Sequence, residues 1–249
     1  MSTFAILEGI ISIQSAITAK KRTIDKIFID KDKIQKRDRK ATHFLSLVKS
    51  EKIDFELCNR EYIDSLCQGN THGGFIAKVG ERSYTPFCEM VNRLKENNTY
   101  AVFLDGVEDP FNFGYSIRNL FAFGCTNFIV PQRNWMSSAD VVAKASAGAS
   151  ELCEISTIDD DIGAVNILKE NGVLLVCSAL SSKSVPLFEF TPPYPFVLFI
   201  GGEKRGISKD FIENADSVVH IPYANSDAKY SLPTASCAAI FGSYLSQSK

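Results

Sequence analysis

Phe196-Val-Leu-Phe-Ile200-Gly201-Gly202-Glu203-Lys-Arg-Gly206 is a run of five large apolar residues that stops at a glycine pair. Such a run, bounded by turn residues, suits a strand buried on both faces. Paired glycines at its end let a ligand lie directly on the backbone, where free N–H groups can bind carboxylate or phosphate. The spacing fits neither G-x-G-x-x-G nor G-x-x-x-x-G-K-[ST], so the common nucleotide-phosphate motifs are not supported. Outward from this run, further apolar stretches of strand length fall at 100–105, 127–131, 173–178 and 218–222, with a weaker one at 152–156. Helical patterning lies between them, at 114–123, 139–149, 161–171, 208–215 and 232–247. Strands alternating with helices predict an α/β fold with a parallel sheet covered on both faces. Ligands of such sheets bind beyond the carboxyl ends of the strands, which directs attention to the loops after Asp105, Gly201 and Pro222.

The texture changes between Gly80 and Asn98. Before it, a helix is expected at 10–20, a strand at 26–30, a helix at 40–50, and strands at 53–57 and 74–79. Residues 1–80 therefore read as a small α/β domain, 81–98 as a linker with a helix at 86–96, and 99–249 as a second domain.

With 249 residues and 45% apolar content, the chain can bury a sizeable core in either domain. No apolar run approaches the roughly 18 residues that cross a bilayer, and the N-terminus lacks a secretory pattern, so a cytoplasmic protein is expected. The seven cysteines are scattered with no C-x-x-C pair, which argues against a zinc site or disulfide framework and for small core residues. A net charge of −2 disfavours a protein that grips nucleic acid over its whole surface. The average hides an asymmetry: residues 1–80 hold 14 Lys/Arg against 10 Asp/Glu, and the rest hold 13 against 19. From Lys20 to Lys40, ten basic residues face four acids, a patch that would attract phosphate or simply form a solvated surface.

The loop after Asp105 reads Gly-Val-Glu108-Asp109-Pro-Phe-Asn112-Phe-Gly114 and runs into Tyr115-Ser-Ile-Arg118. Phe113, Ile117, Leu120 and Phe121 share one helical face, and Arg118 lies beside it. Asn112 has a plain alternative role as a helix N-cap, and Arg118 as a surface arginine paired with Glu108 or Asp109. The loop after Pro222 runs to Tyr230-Ser231-Leu232-Pro233, where Pro233 suits a first helical turn with Ser231 or Leu232 at the cap. The helix that follows is rich in small residues. Of the histidines, His220 reads as a satisfied core residue, His43 as structural or exposed, and His72 sits in a glycine-rich loop open to RNA contact.

Taken together, Asp109-Pro-Phe-Asn112-Phe-Gly114 with Arg118, Gly201-Gly202-Glu203-Lys-Arg-Gly206, and Ile221-Pro222 with Ser231-Leu232 resemble the three ordered motifs of SpoU/TrmH methyltransferases, within the SPOUT superfamily. Lys144-Ala-Ser-Ala-Gly-Ala149 resembles a segment between the first two. Gln68-Gly69 and His72-Gly-Gly-Phe-Ile-Ala77 resemble, more loosely, the end of an N-terminal RNA-binding module of ribosomal-protein-like fold. The resemblance implies a C-terminal trefoil knot that holds S-adenosylmethionine, a homodimer whose subunits share the active site, and methylation of a ribose 2′-hydroxyl in structured RNA, ribosomal RNA ahead of transfer RNA. It implies no metal and no membrane.

By position, Gly201, Gly202, Gly206, Ile221, Ser231 and Leu232 would form the cofactor pocket. Arg118, Asn112 and Glu203 would form the reaction site. Because a guanidinium normally stays protonated, Arg118 suits binding of the adjacent phosphate and stabilisation of a developing alkoxide better than proton abstraction. One departure stands out: Pro233 replaces the asparagine that many relatives carry, and offers neither an amide side chain nor a backbone donor. Asn112, Tyr230 or Ser231 would have to replace that contact. The alternative is a degenerate RNA-binding or ribosome-assembly protein on the same fold. A nicotinamide-dependent Rossmann enzyme is disfavoured by the missing glycine fingerprint, and a hydrolase by the absence of a G-x-S-x-G elbow.

Overall fold

The computed structural model describes residues 4–67, 71–132, 138–225 and 231–247, which form two compact units. The first comprises residues 1–83 together with 138–152, and the second 84–137 with 153–249. Residues 138–152 thus pack with the N-terminal residues, although their position in the chain assigns them to the C-terminal domain.

In the first unit, β1 (Ala5–Glu8), β4 (Phe75–Val79), β2 (Ile24–Asp30) and β3 (Phe55–Cys58) form a four-stranded sheet in that order. β4 runs antiparallel to both β1 and β2, and β3 runs parallel to β2. Ile13, Ala16 and Ile17 of helix α1 (Ile10–Ala19) join Ala41, Phe44 and Val48 of α3 (Arg39–Ser50) in a core with Leu7, Ile27, Ile29, Phe75 and Ala77. On the alternate strand positions, Phe28 and Ile76 cluster with Ile63 of α4 (Arg60–Leu66). Each of the short helices has a local cause. Asp30 caps α2 (Lys31–Gln35) by accepting the Asp32 N–H, Asp38 caps α3 through Ala41, and Asn59 caps α4 through Tyr62.

Helices α7 (Ala139–Ala145) and α8 (Ala149–Leu152) are tied to this unit by a buried ion pair. The Arg22 guanidinium donates from Nε and Nη2 to the two Glu151 oxygens at 2.8 and 2.9 Å, and from Nη1 to the Gly80 carbonyl at 3.2 Å. Both side chains are almost fully enclosed, at 1% and 2% exposure. Arg22 therefore does not belong to the solvent-facing basic patch expected over Lys20 to Lys40.

In the second unit, β5 (Tyr100–Asp105), β6 (Asn127–Pro131), β7 (Glu154–Ile158), β8 (Leu174–Ser178), β9 (Val185–Pro186), β10 (Phe196–Gly201) and β11 (Ser217–His220) form one parallel sheet in the order β7-β6-β5-β10-β8-β11-β9. All six residues of β5 and the first five of β10 are buried, as expected where helices cover both faces. Phe103, Phe199 and Phe211 stack at centroid distances of 4.5–5.0 Å in a core with α5 (Phe87–Glu96), α9 (Asp161–Glu170) and α10 (Lys209–Glu213). Helices α6 (Pro110–Ala122) and α11 (Thr234–Gln247) pack against each other so closely that a Cβ on Gly242 would lie 3.1 Å from the Phe123 ring. No helix among the described residues is long and apolar enough to cross a membrane.

Removing one member of a buried ion pair leaves an uncompensated charge, so Glu151→Ala should cost about 3–5 kcal/mol in urea denaturation. The apolar pair Arg22→Met with Glu151→Leu should recover most of that loss. If Glu151→Ala unfolds at the wild-type midpoint, the pair does not hold α8 in place.

Candidate functional site

β10 lies between β5 and β8, and its register aligns Gly201 with Asp105, so the loops after both strands leave the sheet side by side. They are locked together by backbone. The Gly202 N–H donates to the Asp105 carbonyl at 2.6 Å, the Gly206 N–H to the Gly202 carbonyl at 2.9 Å, and the Ser208 N–H to the Asp105 carboxylate at 2.7 Å. A Cβ on Gly202 would sit 2.1 Å from the Gly106 oxygen, and one on Gly201 only 2.6 Å from the Gly206 carbonyl carbon. No other residue fits at either position without moving main chain.

The segment after β11 closes the same region. Thr234 Oγ1 donates to the Gly201 carbonyl at 3.1 Å, and Asn119 Nδ2 on α6 donates to the Ala235 carbonyl at 2.8 Å. A cavity of about 840 Å³ opens at the ends of β8, β10 and β11, and the loop after β5, where a ligand was also expected, does not line it. Its walls include Gly201, Gly202, Glu203, Gly206, Ile221, Ser231 and Leu232, with apolar surface from Leu180, Ile200, Ile207 and Ile212. This volume lies within the roughly 300–1,000 Å³ typical of small-molecule sites. Apolar walls, exposed glycine backbone and few charges suit a flat heterocycle with polar substituents, the chemistry of an adenosyl group.

The expected reaction-site residues fall differently. Asn112 is not the cap of α6: Asp109 accepts the Phe111 and Asn112 N–H groups at 2.7 and 3.4 Å, and Pro110 occupies the first helical position. The helix consequently begins four residues earlier than the pattern suggests, and the Asn112 amide donates instead to Glu203 at 3.3 Å. Arg118 is exposed on α6, outside the cavity lining, and has no ion-pair partner among the described residues. Glu108, one of its expected partners, faces Lys204 and Arg205 at 3.6 and 3.4 Å.

Pro233 precedes α11, with its carbonyl accepting the Ser236 and Cys237 N–H groups, so it does not lie in the helix and Ser231 and Leu232 are not its cap. The Leu232 N–H is taken by the hydroxyl of Tyr223 at 3.3 Å, a partner that no motif signals. Tyr230, like Gln68 and Gly69, lies outside the described residues.

Two of the three histidines also fall differently from expectation. His72 is fully buried, with Nε2 on Asp64 at 2.8 Å and Nδ1 accepting the Gly74 N–H, which removes it from RNA contact. His43 is exposed. His220, expected as a satisfied core residue, is half-buried and lines the cavity. Alternation places it in a strand, but only the neighbouring strands show what it faces.

Burial pushes the Cys177 thiol up to about 12, with the Asp105 carboxylate adding to the effect, and burial also raises Cys237. Both stay protonated near neutral pH, which is poor chemistry for a nucleophile. No cluster of three metal-ligating side chains occurs among the described residues.

With this geometry in place, comparison with known proteins decides the family. Residues 99–242 match the model of the SpoU rRNA methylase family, and residues 6–85 match that of the RNA 2′-O ribose methyltransferase substrate-binding domain. The chain belongs to the SpoU rRNA methylase family. A protein of Staphylococcus saprophyticus, named for the TrmH family of tRNA/rRNA methyltransferases, is 29% identical over 87% of this chain and 86% of its own. The 23S rRNA (guanosine-2′-O-)-methyltransferase RlmB of Shewanella oneidensis is 25% identical over 83% of this chain and 84% of its own. The SpoU methyltransferase AviRb of Streptomyces viridochromogenes, solved with its cofactor AdoMet, superposes with a TM-score of 0.77 at 18% identity, covering 98% of this chain and 90% of that one.

Gly202→Ala should destabilise the second unit by roughly 2–4 kcal/mol, because backbone must separate to admit the Cβ. Gly206, at φ +66° with open space around it, should tolerate alanine at about 1–2 kcal/mol. Equal losses in chemical denaturation would show that conformation, not close approach, sets the requirement.

Proposed function

We propose that the chain transfers the methyl group of S-adenosylmethionine to a ribose 2′-hydroxyl of structured RNA, ribosomal RNA in preference to transfer RNA. The observation that carries this reading is the cavity at the ends of β8, β10 and β11, one wall of which is backbone at Gly201 and Gly202 that only glycine permits. Family membership and the 23S rRNA relative support the substrate class.

When bound, the cofactor supplies an electrophilic methyl group on a sulfonium centre. Gly201, Gly202, Gly206, Ile221, Ser231 and Leu232 would hold it through backbone and apolar contact. The Thr234 and Asn119 hydrogen bonds, which return the chain to the ends of β10 and α6, fit the trefoil knot of this family. Glu203 orients the Asn112 amide, which in turn would position the ribose. Arg118 would hold the adjacent phosphate and stabilise the oxygen as its proton leaves.

Arg118 is exposed and outside the cavity lining, so in this reading a second copy would bring it to the reaction site. The exposed aromatics Phe111 and Tyr115, seven and three residues before Arg118 on the same helix face, at 52% and 45% exposure, favour a homodimer packed on this face.

Residues 1–80 would hold the RNA as their own domain, with 81–98 as linker to the catalytic 99–249. Lys31, Lys33, Lys36, Arg37, Arg39 and Lys40 have no ion-pair partner among the described residues, whereas Lys26, Arg60, Lys78 and Lys144 each face a carboxylate. Of the acids interleaved with the patch, Asp38 is committed to capping α3. Lys33 and Lys40 lie within electrostatic reach of Asp38, and Lys31, Lys36, Arg37 and Arg39 suit phosphate contacts that carry no sequence information.

Calorimetric titration with S-adenosylmethionine should give micromolar binding by wild type and Arg118→Ala alike. Methylation of a 23S rRNA fragment should fall by roughly 100-fold or more in the variant, the scale expected when transition-state charge stabilisation is removed. No binding by wild type would move the reading to an RNA-binding or assembly protein, with Pro233 marking a decayed site. In a separate arm, alanine at Lys36, Arg37, Arg39 and Lys40 together should flatten the salt dependence of RNA affinity by about 0.7–0.9 for each phosphate charge no longer neutralised. An unchanged slope would place the RNA elsewhere.

A further inference from the structure

The turn Ser181-Ser182-Lys183-Ser184 lies between β8 and β9, and its last hydroxyl reaches His220 across the sheet edge. Ser184 Oγ makes three contacts: the Ser181 carbonyl at 2.8 Å, the Ser181 N–H at 3.1 Å, and His220 Nδ1 at 2.9 Å. A carbonyl can only accept and a backbone N–H can only donate. A serine hydroxyl has one proton, so satisfying all three contacts sends that proton to the Ser181 carbonyl. The hydroxyl oxygen then accepts from Ser181 N–H, and His220 Nδ1 must carry a hydrogen and donate it.

An uncharged imidazole with a hydrogen on Nδ1 keeps a lone pair on Nε2. Nε2 has no hydrogen-bond partner among the described residues, and His220 lines the cavity together with Ser178, Ala179 and Leu180 from the end of β8. Ala179 and Leu180 give apolar surface at this end of the cavity, and among the described residues His220 is the one imidazole in its lining.

We propose that His220, held in the Nδ1–H tautomer by Ser184, is a cofactor-binding residue whose Nε2 accepts a hydrogen bond from an amino or hydroxyl donor of the adenosyl ligand. The proposal rests on the cofactor reading above and adds to it a side-chain specificity contact, and with it a positioning role for Ser184. The donor is either the exocyclic amino group of the purine or a group on the ribose or amino-acid portion.

The test uses the full-length protein. Long-range nitrogen–proton correlation spectra of the ligand-free wild type should show His220 protonated on Nδ1 alone in its uncharged form, and a hydrogen on Nε2 would overturn the proposal without any variant. In calorimetry with S-adenosylhomocysteine, His220→Phe keeps a ring but loses the acceptor and should bind about five- to tenfold more weakly than wild type. Ser184→Ala should lose less, because the imidazole can still reach the right tautomer part of the time.

Unchanged affinity in His220→Phe would sink the contact while leaving the cofactor reading intact. Absence of binding by wild type would sink both. S-inosylhomocysteine, with an oxo group in place of the purine amino group, separates the two donors. If the phenylalanine variant and wild type bind it equally, Nε2 reads the purine amino group. If the variant remains weaker, Nε2 reads the ribose or amino-acid end.

Discussion

The contact between Gly202 and the Asp105–Gly106 backbone is the constraint from which the rest of the site follows. A 2.6 Å hydrogen bond and a 2.1 Å limit on any Cβ bring the turns after β5 and β10 within main-chain distance of one another. That approach fixes Gly201 and Gly202, which line the cavity. It also places Glu203 where the Asn112 amide can reach it and gives the Asp105 carboxylate the Ser208 N–H. The parallel register of β5 and β10 makes the approach available, and the aromatic stack of Phe103, Phe199 and Phe211 holds the strands that carry it.

The first unit depends on a different kind of interaction. Its sheet and helices bury ordinary apolar surface, but the segment carrying α7 and α8 is joined to it by Arg22 and Glu151. A bidentate pair with its remaining guanidinium nitrogen on a carbonyl engages all three nitrogens, the kind of pairing under which burying two charges is tolerable. In a stretch of ten basic residues this one arginine is structural, while its neighbours in α2 and the first turn of α3 lie nearer solvent. The same local charge density thus serves two purposes, and burial separates them.

Much of the architecture is legible because long, strongly apolar strands leave a plain signal. β5, β6 and β10 begin and end where their apolar runs do. Elements that are short or polar leave none: β1, α2, α4 and the two-residue β9 escape the pattern, since so few residues offer too few turns or alternations to read. The start of α6 is hidden because Asp109 and Pro110, which look like loop residues, cap and open the helix. Within the site, the glycines, Ile221, Ser231 and Leu232 are identifiable by their place after strands, whereas the roles of Tyr223 and His220 depend on partners 9 and 36 residues away.

The sequence by itself determined the parallel α/β class, the ligand-facing loops after β10 and β11 and the family, because hydrophobic period and motif order are local properties written along the chain. Only the tertiary structure decided that Arg118 stands outside the cavity, that Arg22 is buried against Glu151, that His72 is enclosed and that His220 lines the pocket. A side chain's environment is set by which distant segment folds against it, and that information lies in the packing of strands and helices far apart in the chain.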